Sequence, residues 1–247
     1  MRLTVLGACG AWPEAGQACS GFLVEQDGFR LVIDLGYATM PRLLEHVPAE
    51  QVDAVFISHG HPDHCADLSP LLRARAMAAE PPAALPVYAP AGALTAVLAL
   101  DQPGMLAGAI DVRELAGGDD LEIGPFRAQT RLLPHWLPNA GLRLSAAGQA
   151  LAYTGDSGPS PAVAELARAA AVLLAEATYI HEVPADSRGN LCSGAEAGEQ
   201  AARADTGQLV LTHLWPGTDR EAAREAAAGT YRGPVSVAQP GQVIDLS

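Results

Sequence analysis

Short apolar runs bounded by glycine, aspartate or histidine recur along the whole chain. Their β-branched residues and their bounding turn residues predict strands. The predicted strands are Leu3–Leu6, Gly21–Glu25, Leu31–Asp34, Val52–Ser58, Val87–Ala89, Phe126–Leu133, Gly141–Ser145, Ala150–Thr154, Ala171–Leu174, Leu209–Thr212 and Val235–Val237. The first part of the chain is therefore mostly strands joined by short turns.

Helical segments are predicted between the later strands. They cover Leu68–Ala79, Pro161–Ala169, Ala195–Ala204 and Arg220–Ala228. Asp67, Ser193 and Asp219 precede three of them and are typical N-caps. Proline and glycine cluster at Glu80–Pro86 and Gln102–Gly108, which indicates surface loops. Sheets covered by helices, in one domain over residues 1–247, are therefore expected.

Charge and composition exclude several classes of function. The formal net charge is −13, so a broad surface for long nucleic acid is not expected. All fifteen basic residues are arginine, which excludes Schiff-base lysine chemistry. No apolar stretch reaches the roughly 18 residues of a membrane span. The short N-terminal apolar run Leu3–Gly7 is typical of a strand and not of a signal peptide, so a cytoplasmic location is expected.

The four cysteines, Cys9, Cys19, Cys65 and Cys192, are scattered and form no Cys-x-x-Cys pair. A disulfide scaffold is not expected in a chain of this size without an export signal. Cys65 follows directly after a histidine but begins the next segment, and it is expected to be buried.

The densest group of possible metal ligands is Ser58-His59-Gly60-His61-Pro62-Asp63-His64, directly after a predicted strand. A loop leaving a buried strand can direct His59 and His61 to one side and Asp63 and His64 to the other. That arrangement suits two adjacent cations that share an oxygen ligand. The alternative is a solvated, histidine-rich turn.

This segment resembles the signature loop of the metallo-β-lactamase superfamily. The resemblance implies an α/β fold, the αββα sandwich, in which two sheets lie between outer helices. It also implies that Asp34, at the end of a predicted strand, braces the metal loop.

Three later residues match the remaining ligands of that family in chain order. His135 follows the strand that ends at Leu133, Asp156 lies in a Gly-Asp turn, and His213 follows the strand Leu209–Thr212. A structural histidine and an ordinary turn aspartate are the alternatives at the first two positions. The resemblance assigns His59, His61 and His135 to one metal ion, Asp63, His64 and His213 to the other, and Asp156 to both as a bridge.

The implied centre holds two divalent metal ions. An all-nitrogen and oxygen ligand set suits zinc, with manganese or iron as alternatives. Such a pair would lower the pKa of a bridging water and provide a hydroxide nucleophile. Asp63, the predicted catalytic residue, would orient this hydroxide or relay its proton.

No cysteine stands at a ligand position, unlike the antibiotic-cleaving members. His61 replaces the carboxylate of redox di-iron relatives, and both differences favour plain hydrolysis.

Within the superfamily, the segments Leu3–Gly10 and Ala195–His213 resemble the short ribonuclease Z-like branch, whose members include phosphodiesterases. Two differences argue against transfer-RNA processing. His135 and Asp156 lie only 21 positions apart, enough for a hairpin but not for the tRNA-binding arm of that family. The family motif His-Glu-Ala-Thr reads Ala175-Glu176-Ala177-Thr178 here, so its histidine is missing.

Hydrolysis of a small phosphodiester or nucleotide is the leading hypothesis. Hydrolysis of a lactone, thioester or other carboxylic ester is the second, and a metal-binding scaffold without turnover is the third. Trp136, Leu137 and Trp215 are expected to pack in the core, although lining an acyl pocket or stacking on a base stays open. His46 is expected on the surface, while His181 could approach the site. A homodimer is expected only from the family resemblance.

Overall fold

The computed structural model describes residues 1–246 of the chain, and over that range it has fourteen strands and seven helices. The strands are β1 (Arg2–Gly7), β2 (Gly21–Gln26), β3 (Phe29–Leu35), β4 (Ala54–Phe56), β5 (Leu85–Pro90), β6 (Ile110–Leu115), β7 (Asp120–Ile123), β8 (Phe126–Leu133), β9 (Asn139–Ala146), β10 (Gln149–Tyr153), β11 (Val172–Glu176), β12 (Gln208–Thr212), β13 (Val235–Val237) and β14 (Val243–Asp245). The helices are α1 (Thr39–Leu44), α2 (Pro62–Cys65), α3 (Leu68–Ala76), α4 (Thr95–Leu98), α5 (Pro161–Leu166), α6 (Gly194–Ala204) and α7 (Arg220–Thr230).

The strands form two seven-stranded sheets that mirror each other in organisation. The first sheet has the order β14-β1-β2-β3-β4-β5-β6, and the second has the order β13-β12-β11-β10-β9-β8-β7. In each sheet, one half is a set of antiparallel strands and the other is parallel, from β3 to β6 and from β10 to β13.

Three apolar layers hold the sheets and helices together. The central layer lies between the sheets and includes Phe22 and Phe56 of the first sheet with Phe126 and Tyr153 of the second. The outer face of the first sheet packs on α1, α3 and α4. The outer face of the second packs on α6 and α7. Because strand side chains alternate between faces, each sheet covers two of these layers. The expected αββα sandwich is confirmed.

The main strands and helices lie where the hydrophobic pattern predicts them, with several corrections. Strand β4 is shorter than the predicted Val52–Ser58, because a 3-10 turn over Ala49–Gln51 ends at Val52. Strand β5 begins at Leu85, inside the predicted loop Glu80–Pro86.

Two helices are also shorter than predicted. Helix α3 ends at Ala76 and α5 at Leu166. After α5 the chain turns away because Ala169 has a left-handed φ of 49° and donates its N–H to Ala204. Asp67 does not cap α3, since its carboxylate accepts the Met40 N–H instead. Ser193 and Asp219 cap their helices as predicted.

Strands β6, β7 and β14 and helices α1 and α4 were not predicted. The three strands lie at sheet edges, where one neighbour suffices and most side chains remain exposed or half-buried. No apolar run marks them in the sequence for that reason. All four cysteines are free and buried, and the burial of Cys65 agrees with its prediction. No helix among residues 1–246 combines the length and hydrophobicity that a bilayer crossing requires.

One edge of the sandwich collects the ends of strands from both sheets. Strands β3 and β4 are parallel, as are β10, β11 and β12. Strand β8 runs in the direction of β10, because both are antiparallel to β9. The loops that follow these strands therefore leave from the same edge, where α/β sheets commonly place their ligand sites.

Arg75 of α3 fastens the segment before β4 to its surroundings. Its guanidinium is buried and donates to the carbonyl oxygens of Ala49, Val52 and Ala83 at 2.9–3.1 Å. The Ala49 carbonyl oxygen also accepts the Val52 N–H of the 3-10 turn, whereas Val52 and Ala83 lie outside the strands and helices. Arg75 thus supplies the hydrogen bonds that regular structure does not.

We expect Arg75→Met to lower the free energy of unfolding by about 2–4 kcal/mol, because the hydrogen bonds of a buried guanidinium to three carbonyl oxygens are lost. Urea denaturation followed by circular dichroism measures the change. The matched control is Arg203→Met on α6, which removes only an exposed ion pair with Glu199 and should cost about 0–1 kcal/mol. Equal losses in the two variants would contradict this role of Arg75.

Candidate metal centre

The seven side chains predicted as ligands lie together at the shared edge and form two groups. The first group consists of His59, His61, His135 and Asp156, and the second of Asp63, His64, Asp156 and His213. Within each group, one potential ligand atom per residue lies within 4.8 Å of all the others. Asp156 belongs to both, as expected for a carboxylate between two ions.

The first group is built by ring nitrogens that point at one another. His61 Nδ1 lies 3.0 Å from His59 Nε2 and 3.1 Å from His135 Nε2. Asp156 Oδ2 approaches His59 Nε2 at 3.8 Å. The α2 turn directs these side chains, since His61 is extended and Pro62 then begins the helix. Three imidazoles and a carboxylate are a typical zinc ligand set.

The second group alternates carboxylates and histidines. His213 Nε2 lies 3.2 Å from both Asp63 Oδ2 and Asp156 Oδ2, and His64 Nε2 lies 3.2 Å from Asp156 Oδ1. All four side chains are buried. Carboxylate oxygens and imidazole nitrogens in this proportion suit a divalent cation.

Hydrogen bonds to Nδ1 fix the orientation of four of the five histidines. His64 Nδ1 lies 2.7 Å from Asp34, and His135 Nδ1 lies 3.0 Å from the Asn190 carbonyl oxygen. His59 Nδ1 lies 3.1 Å from Ser58 Oγ, whose own proton goes to Asp34. Each of these Nδ1 atoms therefore donates, and its Nε2 is left with a lone pair facing the centre. His61 is the exception and presents Nδ1.

His213 reaches its anchor through a hydroxyl. Thr178 Oγ1 donates to Glu176 at 2.8 Å and accepts from His213 Nδ1 at 2.9 Å. Glu176 also accepts the backbone N–H groups of Ser157 and Thr178. Burial, together with the charge of Asp156, raises the pKa of Glu176 to about 8. Glu176 thus orients His213 through the Thr178 hydroxyl.

Asp34 braces the metal loop from within the core. Its fully buried carboxylate accepts four hydrogen bonds, from Ser58 N–H, Ser58 Oγ–H, His64 Nδ1–H and Tyr153 O–H, at 2.6–2.8 Å. Tyr153 belongs to the second sheet, so this contact also joins the two sheets. The role implied by the family resemblance for Asp34 agrees with this geometry.

Backbone conformation at the strand ends aims two of these side chains. Asp34 and His213 have φ values of 54° and 60°, in the left-handed region that non-glycine residues rarely occupy. Such strain is common at functional sites, where the surroundings hold it in place. Here it occurs at the residue that braces the metal loop and at one candidate ligand.

Unpartnered polar atoms indicate that the site fits cations. Among the described residues, the buried atoms His64 Nε2 and Asp156 Oδ1 form no hydrogen bond, although they lie 3.2 Å apart. Buried polar atoms are rarely left unsatisfied. The mutually facing nitrogens of the first group likewise cannot all be satisfied by one another, because each Nε2 lone pair needs a positive partner. The residues therefore fit two metal ions.

The electrostatics differ between the two groups. Burial lowers the pKa of His59, His61 and His135, so these imidazoles are held neutral, as metal ligation requires. Burial also opposes the charged forms of His64 and His213, but the Asp156 and Asp63 carboxylates outweigh it and raise both pKa values. The second group thus has a negative field that attracts a cation.

Aromatic side chains lie on both sides of the centre. The Trp136 ring lies 5.1 Å from the ring of His135 and is 52% exposed, and Leu137 is also exposed. On the other side, Trp215 contacts the rings of Trp12 and Tyr179. The prediction that Trp136 and Leu137 pack in the core is wrong, because both lie at the mouth of the site.

The sequence did not reveal the anchors Thr178, Asn190 and Asn139. Asn139 donates to the carbonyl oxygens of Thr154 and Asp156 and so holds the backbone of Asp156 in place. His46 is exposed, as predicted. His181 is exposed too, and among the described contacts no hydrogen bond joins it to the seven side chains.

We expect Thr178→Val to weaken metal binding by about 10–100-fold, because His213 loses the acceptor that orients it. Competition with a chromogenic chelator measures the affinity for zinc. Thr178→Ser keeps the hydroxyl and should retain the affinity of the original protein. If the valine and serine variants bind zinc equally well, the hydroxyl does not orient His213.

The histidine-rich loop and the fold have counterparts in known proteins. The model of the beta-lactamase superfamily domain matches residues 18–214. The probable metallo-hydrolase YhfI of Bacillus subtilis is 30% identical over 98% of this chain and 99% of its own length. A ribonuclease Z of Methanopyrus kandleri is 30% identical over 97% of this chain and 95% of its own.

The fold comparison agrees with the sequence comparison. The crystal structure of the metallo-beta-lactamase fold protein YhfI from Bacillus subtilis matches with a TM-score of 0.89 and 28% identity. The match covers 98% of each chain. Three observations therefore indicate one family. They are the two-sheet fold, the two groups of potential ligands at one edge, and relatives that match over nearly the full length. The chain belongs to the metallo-β-lactamase superfamily.

Proposed function

We propose that this protein is a dinuclear-metal hydrolase that cleaves small phosphodiesters, such as short or cyclic nucleotides. The observation that carries the proposal is the pair of ligand groups that share Asp156. Two adjacent divalent ions, zinc in our proposal, with manganese or iron as alternatives, would supply a nucleophile at neutral pH and neutralise charge on phosphoryl oxygens. A relative named ribonuclease Z supports phosphodiester chemistry.

Asp63 is the side chain best placed to handle a proton. Its Oδ2 accepts the Ala11 N–H at 2.7 Å and lies 3.2 Å from His213 Nε2. The ring nitrogens of His64 and His213 keep the pKa of Asp63 low despite burial, so the carboxylate is ionised. With Oδ2 held in this way, Oδ1 is the oxygen that can orient or accept a proton during attack.

The size and charge of the site favour a small substrate. A single hairpin, β9–β10, connects the loop of His135 to that of Asp156. The net charge of −13 also opposes binding of a long polyanion. Both features support a mononucleotide-sized ester over a transfer RNA.

We expect Asp63→Ala to lower kcat for bis(p-nitrophenyl) phosphate by about 10²–10⁴-fold, because the group that manages the proton is lost. Release of p-nitrophenolate measures the rate. Asp245→Ala, which removes an exposed carboxylate on β14, should leave kcat unchanged. Circular dichroism establishes that both variants are folded.

A panel of esters separates the proposal from carboxylic ester hydrolysis. The zinc-loaded protein is offered the phosphodiester, a lactone and a thioester under the same conditions. Turnover confined to the lactone or thioester would overturn phosphodiester cleavage while leaving a hydrolase. Inertness toward every member would overturn hydrolysis itself.

We expect dialysis against a chelator to abolish turnover, because the nucleophile is generated only with ions bound. Reconstitution with zinc should restore it at two ions per chain, one for each ligand group. Elemental analysis by mass spectrometry measures the stoichiometry. His135→Ala should retain close to one ion, and full turnover in the chelated protein would refute the metal requirement.

A further inference from the structure

We propose that an apolar cavity beside the first ligand group binds an uncharged, planar ring attached to the phosphate of the substrate. We call this cavity the ring cleft; its lining includes Gly60, Ala93, Thr95, Ala96, Leu137 and Pro138. The inference rests on the proposed function, since it names the substituent of the phosphoester that the centre would cleave.

The ring cleft lies beside the candidate metal centre, because two of its lining residues are near neighbours of candidate ligands in the sequence. Gly60 stands between His59 and His61, and Leu137 follows His135 by two positions. A side chain at position 60 would lie 2.8 Å from the Ala93 carbonyl oxygen, so glycine lets the metal loop touch the segment after β5. A group attached to a phosphate at the first ligand group thus has this cavity as its immediate neighbour.

The lining of the ring cleft excludes a charged occupant. Its side chains are alanine, leucine and proline with two glycines, and Thr95 contributes the one hydroxyl among them. Among residues 1–246, no arginine or carboxylate lines it, so a second phosphate or an ammonium group would lose hydration there without gaining a partner. The occupant must therefore be neutral and largely apolar.

The size and surface of the ring cleft suit a flat ring. Its volume is about 410 Å³, within the range of small-molecule pockets. Ala91, Ala96 and Ala99 offer single methyl groups, and Gly60 and Gly92 expose peptide planes. Small side chains and bare peptide planes leave flat walls, against which a planar ring makes more contact than a flexible chain does.

The half-exposed Trp136 supports the same occupant. It lies between the ligand His135 and the cleft residue Leu137, and its ring is packed on His135. Indole rings favour offset or edge-to-face contacts with other rings. A ring in the cleft would also cover Leu137, which lines the cavity and is exposed.

Calorimetric titration of the zinc-loaded protein with three phosphates tests the ring cleft. The ligands are phenyl phosphate, methyl phosphate and inorganic phosphate, which differ only in the group that would enter the cavity. We expect phenyl phosphate to bind at least about tenfold more tightly than methyl phosphate, since burial of roughly 60 Å² of apolar surface is worth that factor. 4-Carboxyphenyl phosphate should lose this advantage, because its ring is charged.

The variant Ala96→Phe fills the ring cleft, and Ala99→Leu is a milder second variant. Both alanines are exposed, so neither change disturbs the core. We expect each to remove the preference for phenyl over methyl phosphate and to leave the affinity for inorganic phosphate unchanged. Ala202→Phe, at an exposed position near the end of α6, is the matched control and should keep the preference.

Separate outcomes distinguish this inference from the proposed function. Equal binding of phenyl and methyl phosphate, or a uniform loss for all three phosphates in Ala96→Phe, would overturn the ring cleft even if bis(p-nitrophenyl) phosphate is hydrolysed. If phenyl phosphate binds more tightly than methyl phosphate and Ala96→Phe removes that preference, the ring cleft is supported even if no phosphodiester is hydrolysed. In that case only the proposed reaction fails.

Discussion

The buried carboxylate of Asp34 connects the parts of the molecule that the candidate site requires. Removed from water, a carboxylate group is tolerated only when it has several hydrogen-bond partners. Asp34 obtains them from Ser58 and His64 of the metal loop and from Tyr153 of the opposite sheet. The interaction that makes its burial possible also fixes the distance between the two sheets and the direction of one candidate ligand. Packing and ligand geometry are therefore set by the same bonds.

Around this contact, the apolar core and the candidate site occupy separate parts of the molecule. Three apolar layers hold the strands, and the strand ends meet at one edge. There the side chains are polar, and the carboxylates of Asp63 and Asp156 lie next to histidine rings. Nδ1 anchors provided by Asp34, Thr178 and the Asn190 carbonyl oxygen hold histidine rings whose Nε2 atoms face the centre. Preorganisation of this kind keeps ligands in place before any ion arrives.

The candidate ligands could be predicted from the sequence because their residue types are rare and their order along the chain is diagnostic. Their anchors could not. Thr178 is an ordinary residue type, and Asn190 acts through its carbonyl oxygen, so no side-chain pattern marks either role. Core strands such as β8 were predicted from their apolar residues, whereas the exposed edge strand β6 depends on backbone pairing with β5. Trp136 was misplaced because hydrophobicity alone does not tell a core position from a pocket rim.

The seven candidate ligands extend from position 59 to position 213 and follow strands of both sheets. No short segment of the chain contains a complete second group, because Asp63 and His213 are 150 positions apart. In the metal-loaded protein that we propose, an ion at the second group would bind only after both sheets have formed and packed on each other. Ions bound there would join the two halves of the molecule, and global unfolding would have to release them. Resistance to heat and denaturant would then depend on the free metal concentration in the surrounding solution.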